Sequence, residues 1–124
     1  MTTAITYDDV LLVPAYNHHE SRRVVDISSA DRLGKLSLEL PIISANMDTI
    51  TGSKMANFMT SKGAIGALHR FMTIDENVSA FKECVGKVFV SVGCSKAELE
   101  RAEALRDAGA QYFVIDVAHA HAKY

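Results

Sequence analysis

Residues 63–116 read GAIGALHRFMTIDENVSAFKECVGKVFVSVGCSKAELERAEALRDAGAQYFVID, and this stretch decides the fold. Three of its glycines, Gly63, Gly86 and Gly109, recur at a constant interval of 23 residues. Each glycine ends a helix-like stretch and precedes a short apolar run, so the repeating unit is strand, loop, helix and glycine. Such a repeat is typical of βα units that build a parallel sheet. Binding and catalytic groups in these folds collect where the strands end.

The repeat predicts four short strands and three helices. The strands are expected at 42–43, 64–68, 88–92 and 112–115. A first helix is expected over about 52–62, and the next two begin at Thr73–Glu76 and Ser95–Glu98, which both have the sequence of a capping box. Apolar residues at helical spacing give each helix an inward face: Met55, Phe58 and Met59; Ile74, Val78, Phe81 and Val85; Leu99, Ala102, Leu105 and Ala108.

The expected strands are apolar on both faces, as a parallel sheet covered by helices requires. Helix and loop lengths fit either a (β/α)8 barrel or a doubly wound sheet. Four strands and three helices make about half of a barrel of roughly 250 residues, and the outer strands of such a half would be open edges. We therefore expect an α/β chain that covers the first half of a TIM (β/α)8 barrel and belongs to a longer protein.

The chain is expected to divide into an N-terminal extension, residues 1–40, and the barrel part, residues 41–124. Within the extension, residues 5–13 read as a strand that ends at Pro14. The apolar residues of 24–27 suggest a second short strand.

Composition disfavours several classes of partner and site. The 124 residues have a formal net charge of −2 with both signs interspersed, which argues against nucleic acid or an acidic membrane as a partner. No apolar run reaches membrane-spanning length, and the N-terminus lacks the regions of a secretory signal. Cys84 and Cys94 have no CxxC spacing, which disfavours a disulfide framework and fits the reducing cytoplasm.

Polar residues follow each expected strand, and a barrel would gather them at one mouth. They are residues 44–48, His69, Arg70, Gly93, Cys94 and residues 116–119. Asp116 could accept from ribose hydroxyls or from an amide, or it could cap its own loop. Met47 could pack on a flat ring or close the rim. Cys94 could be a nucleophile at a helix N-terminus, although a small buried cysteine is the commoner case.

Two further groups have both a functional and an ordinary interpretation. His119 and His121, together with His69, could coordinate zinc, but the pair lacks an anchoring ligand of clear spacing and no metal site is expected. Ser21, Arg22 and Arg23 form a basic spot that is either a solvated face or a contact for a phosphate or nucleotide.

Four segments resemble one known family, that of IMP dehydrogenase and GMP reductase. They are TYDDVLLVP at 6–14, PIISANMDT at 41–49, GALHR at 66–70 and DVAHAH at 116–121. The resemblance covers essentially the whole chain, in order. It implies a (β/α)8 barrel that uses a purine nucleotide, GMP or IMP, and a nicotinamide cofactor. A cysteine in the second half of such a barrel attacks C2 of the purine, and a hydride passes to or from the nicotinamide.

The same resemblance implies roles for residues of this chain. It places Ser44 and Met47 near the nucleotide, Asp116, Val117 and Ala118 in the dinucleotide loop, and Ser21 and Arg22 at the adenosine end of a cofactor, from a neighbouring subunit. Arg70 lies where reductases often have lysine near the reacting groups and cofactor. Arginine rarely deprotonates, so an electrostatic role is implied rather than proton transfer.

Neither Cys84 nor Cys94 matches the family's catalytic cysteine. The catalytic loop, the main phosphate site and a site for a monovalent cation such as K+ are therefore expected beyond Tyr124. This chain alone is expected to be inactive.

The link between the second helix and the third strand distinguishes members of the family. IMP dehydrogenases usually carry a pair of regulatory CBS modules there, whereas residues 84–88 join the two directly. The leading expectation is the N-terminal half of a GMP reductase, which converts GMP to IMP and ammonia and oxidises NADPH. One alternative is an IMP dehydrogenase without the insert, which uses NAD; another is a non-catalytic barrel fragment. A cytoplasmic homotetramer is expected.

Overall fold

A computed structural model describes residues 3–31, 34–119 and 121 of the chain. Two 3-10 turns, Tyr7–Asp9 and Arg22–Val24, precede the regular elements. In chain order these are β1 (Ser29–Ala30), β2 (Ser37–Leu38), β3 (Ile43–Ser44), α1 (Ser53–Ser61), β4 (Ile65–Leu68), α2 (Ile74–Lys82), β5 (Phe89–Val92), α3 (Lys96–Asp107) and β6 (Tyr112–Ile115). The four strands and three helices predicted from the repeat are confirmed, with strand ends that differ by at most one residue.

Strands β3, β4, β5 and β6 form one parallel sheet in consecutive order. Phe89 of β5 lies opposite Tyr112 of β6, and Val92 lies opposite Ile115. Residues opposite each other in a parallel pair share a face, and the rings of Phe89 and Tyr112 meet edge to face with centroids 6.0 Å apart. Strands β1 and β2 form a separate antiparallel hairpin that the sequence analysis did not predict.

All three helices lie on one face of the parallel sheet. One buried cluster joins Ala56 of α1, Leu105 of α3, Leu68 of β4 and Val90 of β5, and Val78 of α2 packs against it. A doubly wound sheet would carry helices on both of its faces. Consecutive strands with helices on one face are the arrangement of a (β/α)8 barrel, so the predicted fold class is confirmed.

Local sequence explains where the helices begin and end. The Thr73 hydroxyl accepts from the Glu76 N–H at 3.3 Å, and the Glu76 carboxylate accepts from the Thr73 N–H at 2.9 Å, as the capping box predicts. The Thr73 N–H and, at 2.8 Å, the Thr73 hydroxyl donate to the Glu76 carboxylate and hold the pKa of Glu76 below its usual range. The repeat glycines Gly63, Gly86 and Gly109 have φ of 72°, 86° and 105°, which residues with a side chain rarely adopt.

The strand expected over 5–13 is wrong. Its middle forms the first 3-10 turn, and Leu11 and Leu12 are 95% and 98% exposed. An apolar run needs a partner strand to form a ladder, and no strand pairs with this run within the part of the chain that the structure describes. The strand expected over 24–27 is also wrong, because Val24 is the last residue of the second 3-10 turn and residues 25–27 lead from it toward β1.

Parts of the predicted inward helix faces are exposed. Val85 is 71% exposed because α2 ends at Lys82 and Val85 lies in the link beyond it. Leu99 is 60% exposed, since the buried positions of α3 are Arg101 and Leu105. Met55 and Phe58, two predicted core residues of α1, are also exposed.

Residues 120 and 122–124, in the loop expected after the fourth strand, lie outside the described residues. Within the described residues, the helices are too short or too polar to cross a membrane.

Candidate functional site

The Arg70 side chain joins the carboxyl ends of β4 and β6. Arg70 follows β4, and its Nε donates to Asp116 Oδ2 at 3.2 Å, while its Nη2 donates to the Asp116 carbonyl oxygen at 3.3 Å. Asp116 follows β6, so the guanidinium crosses the end of β5 to reach it. The side chains of Arg70 and Asp116 are 27% and 31% exposed, so both remain accessible to a ligand.

Gly93, directly after β5, leaves room for that crossing. A Cβ at this position would lie 3.3 Å from Arg70 Nη1 and 3.0 Å from Glu98 Cγ. The Gly93 N–H donates to Glu98 Oε2 at 2.7 Å. A side chain here would therefore push the Glu98 side chain and the Arg70 guanidinium aside by a few tenths of an ångström.

Glu98, in the first turn of α3, lies against the other side of Arg70. Its Oε2 is 3.7 Å from Arg70 Nη1, and its Oε1 accepts from Arg101 Nε at 3.1 Å. Burial raises the pKa of Glu98, but the Gly93 N–H and the two guanidinium groups together outweigh burial and hold that pKa below its usual range. The carboxylate is thus ionised at neutral pH.

The capping box predicted for Ser95–Glu98 is only half formed. The Ser95 hydroxyl accepts from the Glu98 N–H at 3.3 Å. The Glu98 carboxylate does not return to the Ser95 N–H, because it binds the Gly93 N–H and Arg101 instead.

Arg101 anchors this group in the interior between α2 and α3. It is 7% exposed, and its Nη1 donates to Asn77 Oδ1 at 3.0 Å while its Nη2 donates to the Met72 carbonyl oxygen at 2.9 Å. Asn77 is fully buried, and its Nδ2 donates to the His69 carbonyl oxygen at 3.4 Å. We call the five linked side chains the charge network: Asp116, Arg70, Glu98, Arg101 and Asn77.

Glu98, Arg101 and Asn77 were not predicted from the sequence as parts of the site. A signal was present on α3, where Glu98 and Arg101 are three residues apart and Arg101 precedes the core residue Leu105 by one helical turn. A charged residue in register with a core position is rarely buried without a partner. Asn77 had no comparable signal, because a single asparagine in a helix is usually solvated.

Ser44, after β3, is oriented by a buried hydroxyl. Thr51 is fully buried, and its Oγ1 donates to the Ala45 carbonyl oxygen and lies 2.9 Å from Ser44 Oγ. A hydroxyl has one proton, and the carbonyl can only accept it, so the Ser44 hydroxyl donates to Thr51. Ser44 therefore offers a ligand only its oxygen lone pairs.

Met47 lies in the same loop, which is folded into a turn. The Met47 carbonyl oxygen accepts from the N–H groups of Ile50 and Thr51 at 2.9 and 3.0 Å. Its side chain is 50% exposed and available for an apolar contact.

A cleft of about 490 Å³ lies beside the charge network. It is lined by Arg70, Gly93, Cys94, Ser95, Lys96, Glu98 and Val117. Cys94 is exposed there, and the predicted loop residue Ala118 is exposed beyond Val117. The cleft thus combines cationic side chains, backbone of the β5 end and one apolar wall.

The remaining predicted residues lie elsewhere. Ser21 and Arg22 are exposed in the second 3-10 turn, where the Ser21 hydroxyl accepts from the Arg23 N–H at 3.2 Å. Among the described residues, no hydrogen bond or ion pair joins Ser21 or Arg22 to the mouth. Burial and the neighbouring Glu83 raise the pKa of Cys84 to about 11, so this thiol stays protonated at neutral pH.

The histidines do not form an evident metal centre. The rings of His119 and His121 have centroids 6.2 Å apart. In the part of the chain that is described, no group of three or more His, Cys, Asp or Glu side chains is arranged to hold a metal ion.

Comparison with known proteins places these features in a family. The family model for the IMP dehydrogenase / GMP reductase domain matches residues 4–124. A solved inosine 5′-monophosphate dehydrogenase from Legionella pneumophila superposes with a TM-score of 0.87 and is 76% identical, over 98% of this chain and 38% of that one.

Curated relatives include both enzymes of the family. An inosine-5′-monophosphate dehydrogenase from Nitrosopumilus maritimus is 45% identical over 60% of this chain, and a GMP reductase from Leishmania donovani is 41% identical over 64% of it. The matched part spans 16% of each of these relatives. Since the family model matches nearly every residue, the chain belongs to the IMP dehydrogenase / GMP reductase family of oxidoreductases.

Proposed function

We propose that this chain is part of an IMP dehydrogenase, which oxidises IMP to XMP and passes the hydride to NAD. One observation carries the choice within the family: the chain is 76% identical to the Legionella pneumophila dehydrogenase over 98% of its length. The GMP reductases of Leishmania are 41% identical over 64% of it. The higher identity over the longer stretch supports the dehydrogenase over the reductase that the direct link at 84–88 favoured.

The strand-end residues fit a dinucleotide. Asp116 Oδ2 is held by Arg70, and the side chain is 31% exposed, so its other carboxylate oxygen can accept from ribose hydroxyls. Val117 supplies an apolar wall and Ala118 leaves room for the ligand. When bound, the nicotinamide takes up the hydride. Ser21 and Arg22 contact the adenosine end from a neighbouring subunit of a homotetramer.

Ser44 and Met47 belong to the nucleotide side of the mouth in this proposal. Ser44 accepts a hydrogen bond from the nucleotide, because its own proton is committed to Thr51. Met47 packs its half-exposed side chain on the purine ring. The reactive cysteine and a K+ site lie in other parts of the full-length protein.

Arg70 provides a fixed positive charge beside the cofactor. Its planar guanidinium stabilises negative charge and holds Asp116 through hydrogen bonds, without a role in proton transfer. A lysine at this position would be able both to stabilise negative charge and to transfer a proton.

The test is the absorbance at 340 nm of the full-length protein in two reactions. With IMP and NAD, a rise in absorbance is expected from NADH; with GMP and NADPH, no change is expected. A loss of absorbance with GMP and NADPH alone would show a reductase, for which the uninterrupted link between Lys82 and Phe89 is the specific observation. No change in either reaction would favour the non-catalytic alternative.

A further inference from the structure

We propose that Glu98 and Arg101 are positioning residues for the dinucleotide site, acting through Arg70 on Asp116. This inference rests on the proposed role of Asp116 toward the cofactor. It assigns a function to two side chains of α3 that do not themselves reach the cofactor-binding carboxylate.

Without a second anchor, the Arg70 side chain would be free to adopt other conformations. Its side chain is 27% exposed, and it must pass over the end of β5 to reach a strand that is not its neighbour. A long exposed side chain loses rotamer entropy when it is held in one such conformation. Arg70 therefore needs a second anchor to keep its guanidinium against Asp116.

Glu98 is that anchor. Its carboxylate, with side-chain exposure of 14%, lies 3.7 Å from Arg70 Nη1 on the side opposite the Asp116 contact at Nε. The guanidinium is thereby set between two carboxylates, one buried and one facing the mouth. Because the Glu98 side is the more buried, it resists movement more than the Asp116 side.

Arg101 fixes the anchor itself. It donates to Glu98 Oε1 at 3.1 Å, and its other nitrogens are held by Asn77 and the Met72 carbonyl oxygen. Both Arg101 and Asn77 are buried, so this end of the charge network belongs to the interior between α2 and α3. The buried residues Arg101 and Asn77 thus fix the position of Asp116 through Glu98 and Arg70.

Charge balance points the same way. Arg70 and Arg101 offset Asp116 and Glu98, so the network is neutral as it stands. Removing the charge of Glu98 leaves Arg101 buried without its anion and leaves Asp116 as the one carboxylate for Arg70. Arg70 then lacks its more buried anchor, so its guanidinium no longer holds Asp116 in one position toward the ribose hydroxyls.

The experiment is a double-mutant cycle on binding, with no turnover. The full-length protein, saturated with IMP, is titrated calorimetrically with NADH, a combination that cannot react in the dehydrogenase direction. Glu98→Gln is expected to raise the Kd of NADH about tenfold and to leave the Kd of IMP unchanged. Glu100→Gln, the same substitution at an exposed position of the same helix, is the matched control and is expected to change neither.

The decisive comparison is made in the Asp116→Asn background, where the amide oxygen still accepts a hydrogen bond. Glu98→Gln is expected to have no further effect on the Kd of NADH there, because its effect acts through Asp116. A second full loss of affinity, or equal losses for NADH and IMP, would overturn the proposal. Glu98→Asp, which keeps the charge but shortens the side chain, is the second variant should Glu98→Gln fold poorly, and the same cancellation is expected.

Failure of this inference is distinct from failure of the proposed function. The absorbance test on the unmodified protein decides the reaction. The binding cycle decides whether Glu98 acts through Asp116, whichever direction the hydride takes.

Discussion

Two short apolar runs of this chain, AIGAL at 64–68 and VLLV at 10–13, have opposite surroundings. Ile65 and Leu68 are fully buried in β4, whereas Leu11 and Leu12 are 95% and 98% exposed. The first run has strands on both sides and α1 across one face. The second has no pairing strand among the described residues. Apolar character alone thus does not make a strand; neighbours on both sides do.

Hydrogen exchange of the full-length protein tests this contrast most strongly. After correction for intrinsic rates, the amides of β4 are expected to exchange on the order of a thousandfold more slowly than those of 10–13, because only the β4 amides have ladder partners. Equal protection would mean that 10–13 is hydrogen-bonded to parts of the protein outside the described residues.

Truncation of a core leucine sharpens the contrast within one helix. Leu105→Ala is expected to lower the free energy of unfolding by about 3 kcal/mol, because Leu105 is fully buried in the cluster that joins helices to sheet. Leu99→Ala, on the same helix at 60% exposure, is the control and is expected to cost less than about 1 kcal/mol. Urea unfolding measures both, and similar losses would contradict the assigned inward face.

Gly93→Ala tests the space at the end of β5. The added Cβ would meet the Arg70 guanidinium and the Glu98 side chain, so a loss of about 2 kcal/mol in the free energy of unfolding and weaker dinucleotide binding are expected. Gly52→Ala is the matched control, because a Cβ there has no neighbour within 4 Å. An unchanged Gly93→Ala protein would show that Arg70 does not need this path.

Asp116→Ala tests whether Asp116 contributes to binding of the dinucleotide more than to binding of the nucleotide. The KM for the dinucleotide is expected to rise about tenfold, through the lost charge-assisted hydrogen bonds, with a smaller effect on the KM for the nucleotide. Asp107→Ala, at an exposed position at the end of α3, serves as the control. Equal changes in both KM values would argue against a dinucleotide role for Asp116.

The smallest expected effect is the pH dependence of the Glu98 contribution. The pKa of Glu98 in the folded protein lies below its ordinary value of 4.5, so the unfolded chain binds the proton first. The stability that Glu98 adds is therefore present above about pH 4.5 and is lost as the pH falls through the lower, folded-state pKa. Unfolding of the native protein and of Glu98→Gln should differ most at neutral pH and converge in acid; a constant difference would contradict the ion pairs.

The repeat was readable because each of its signals is local. Gly63, Gly86 and Gly109 end helical stretches through their own backbone freedom, and the capping box at Thr73 needs only residues within one turn. At Glu98, by contrast, the local signal led to a wrong prediction. Its local pattern predicts a capping contact with Ser95, but the carboxylate instead binds the Gly93 N–H and lies against Arg70, which follows β4, and Arg101 of its own helix.

From residue 42 onward, the sequence by itself determined the order of strands and helices; it also determined the barrel class and the family, since these follow from periodicity, helix ends and short contiguous motifs. It also placed Arg70 and Asp116 at strand ends. Only the tertiary structure decided that Arg70 passes over Gly93 to bind Asp116, and that Glu98 and Arg101 tie this pair to the core. The physical reason is distance along the chain: Arg70 and Asp116 are 46 residues apart, and their contact exists only once three parallel strands are in register.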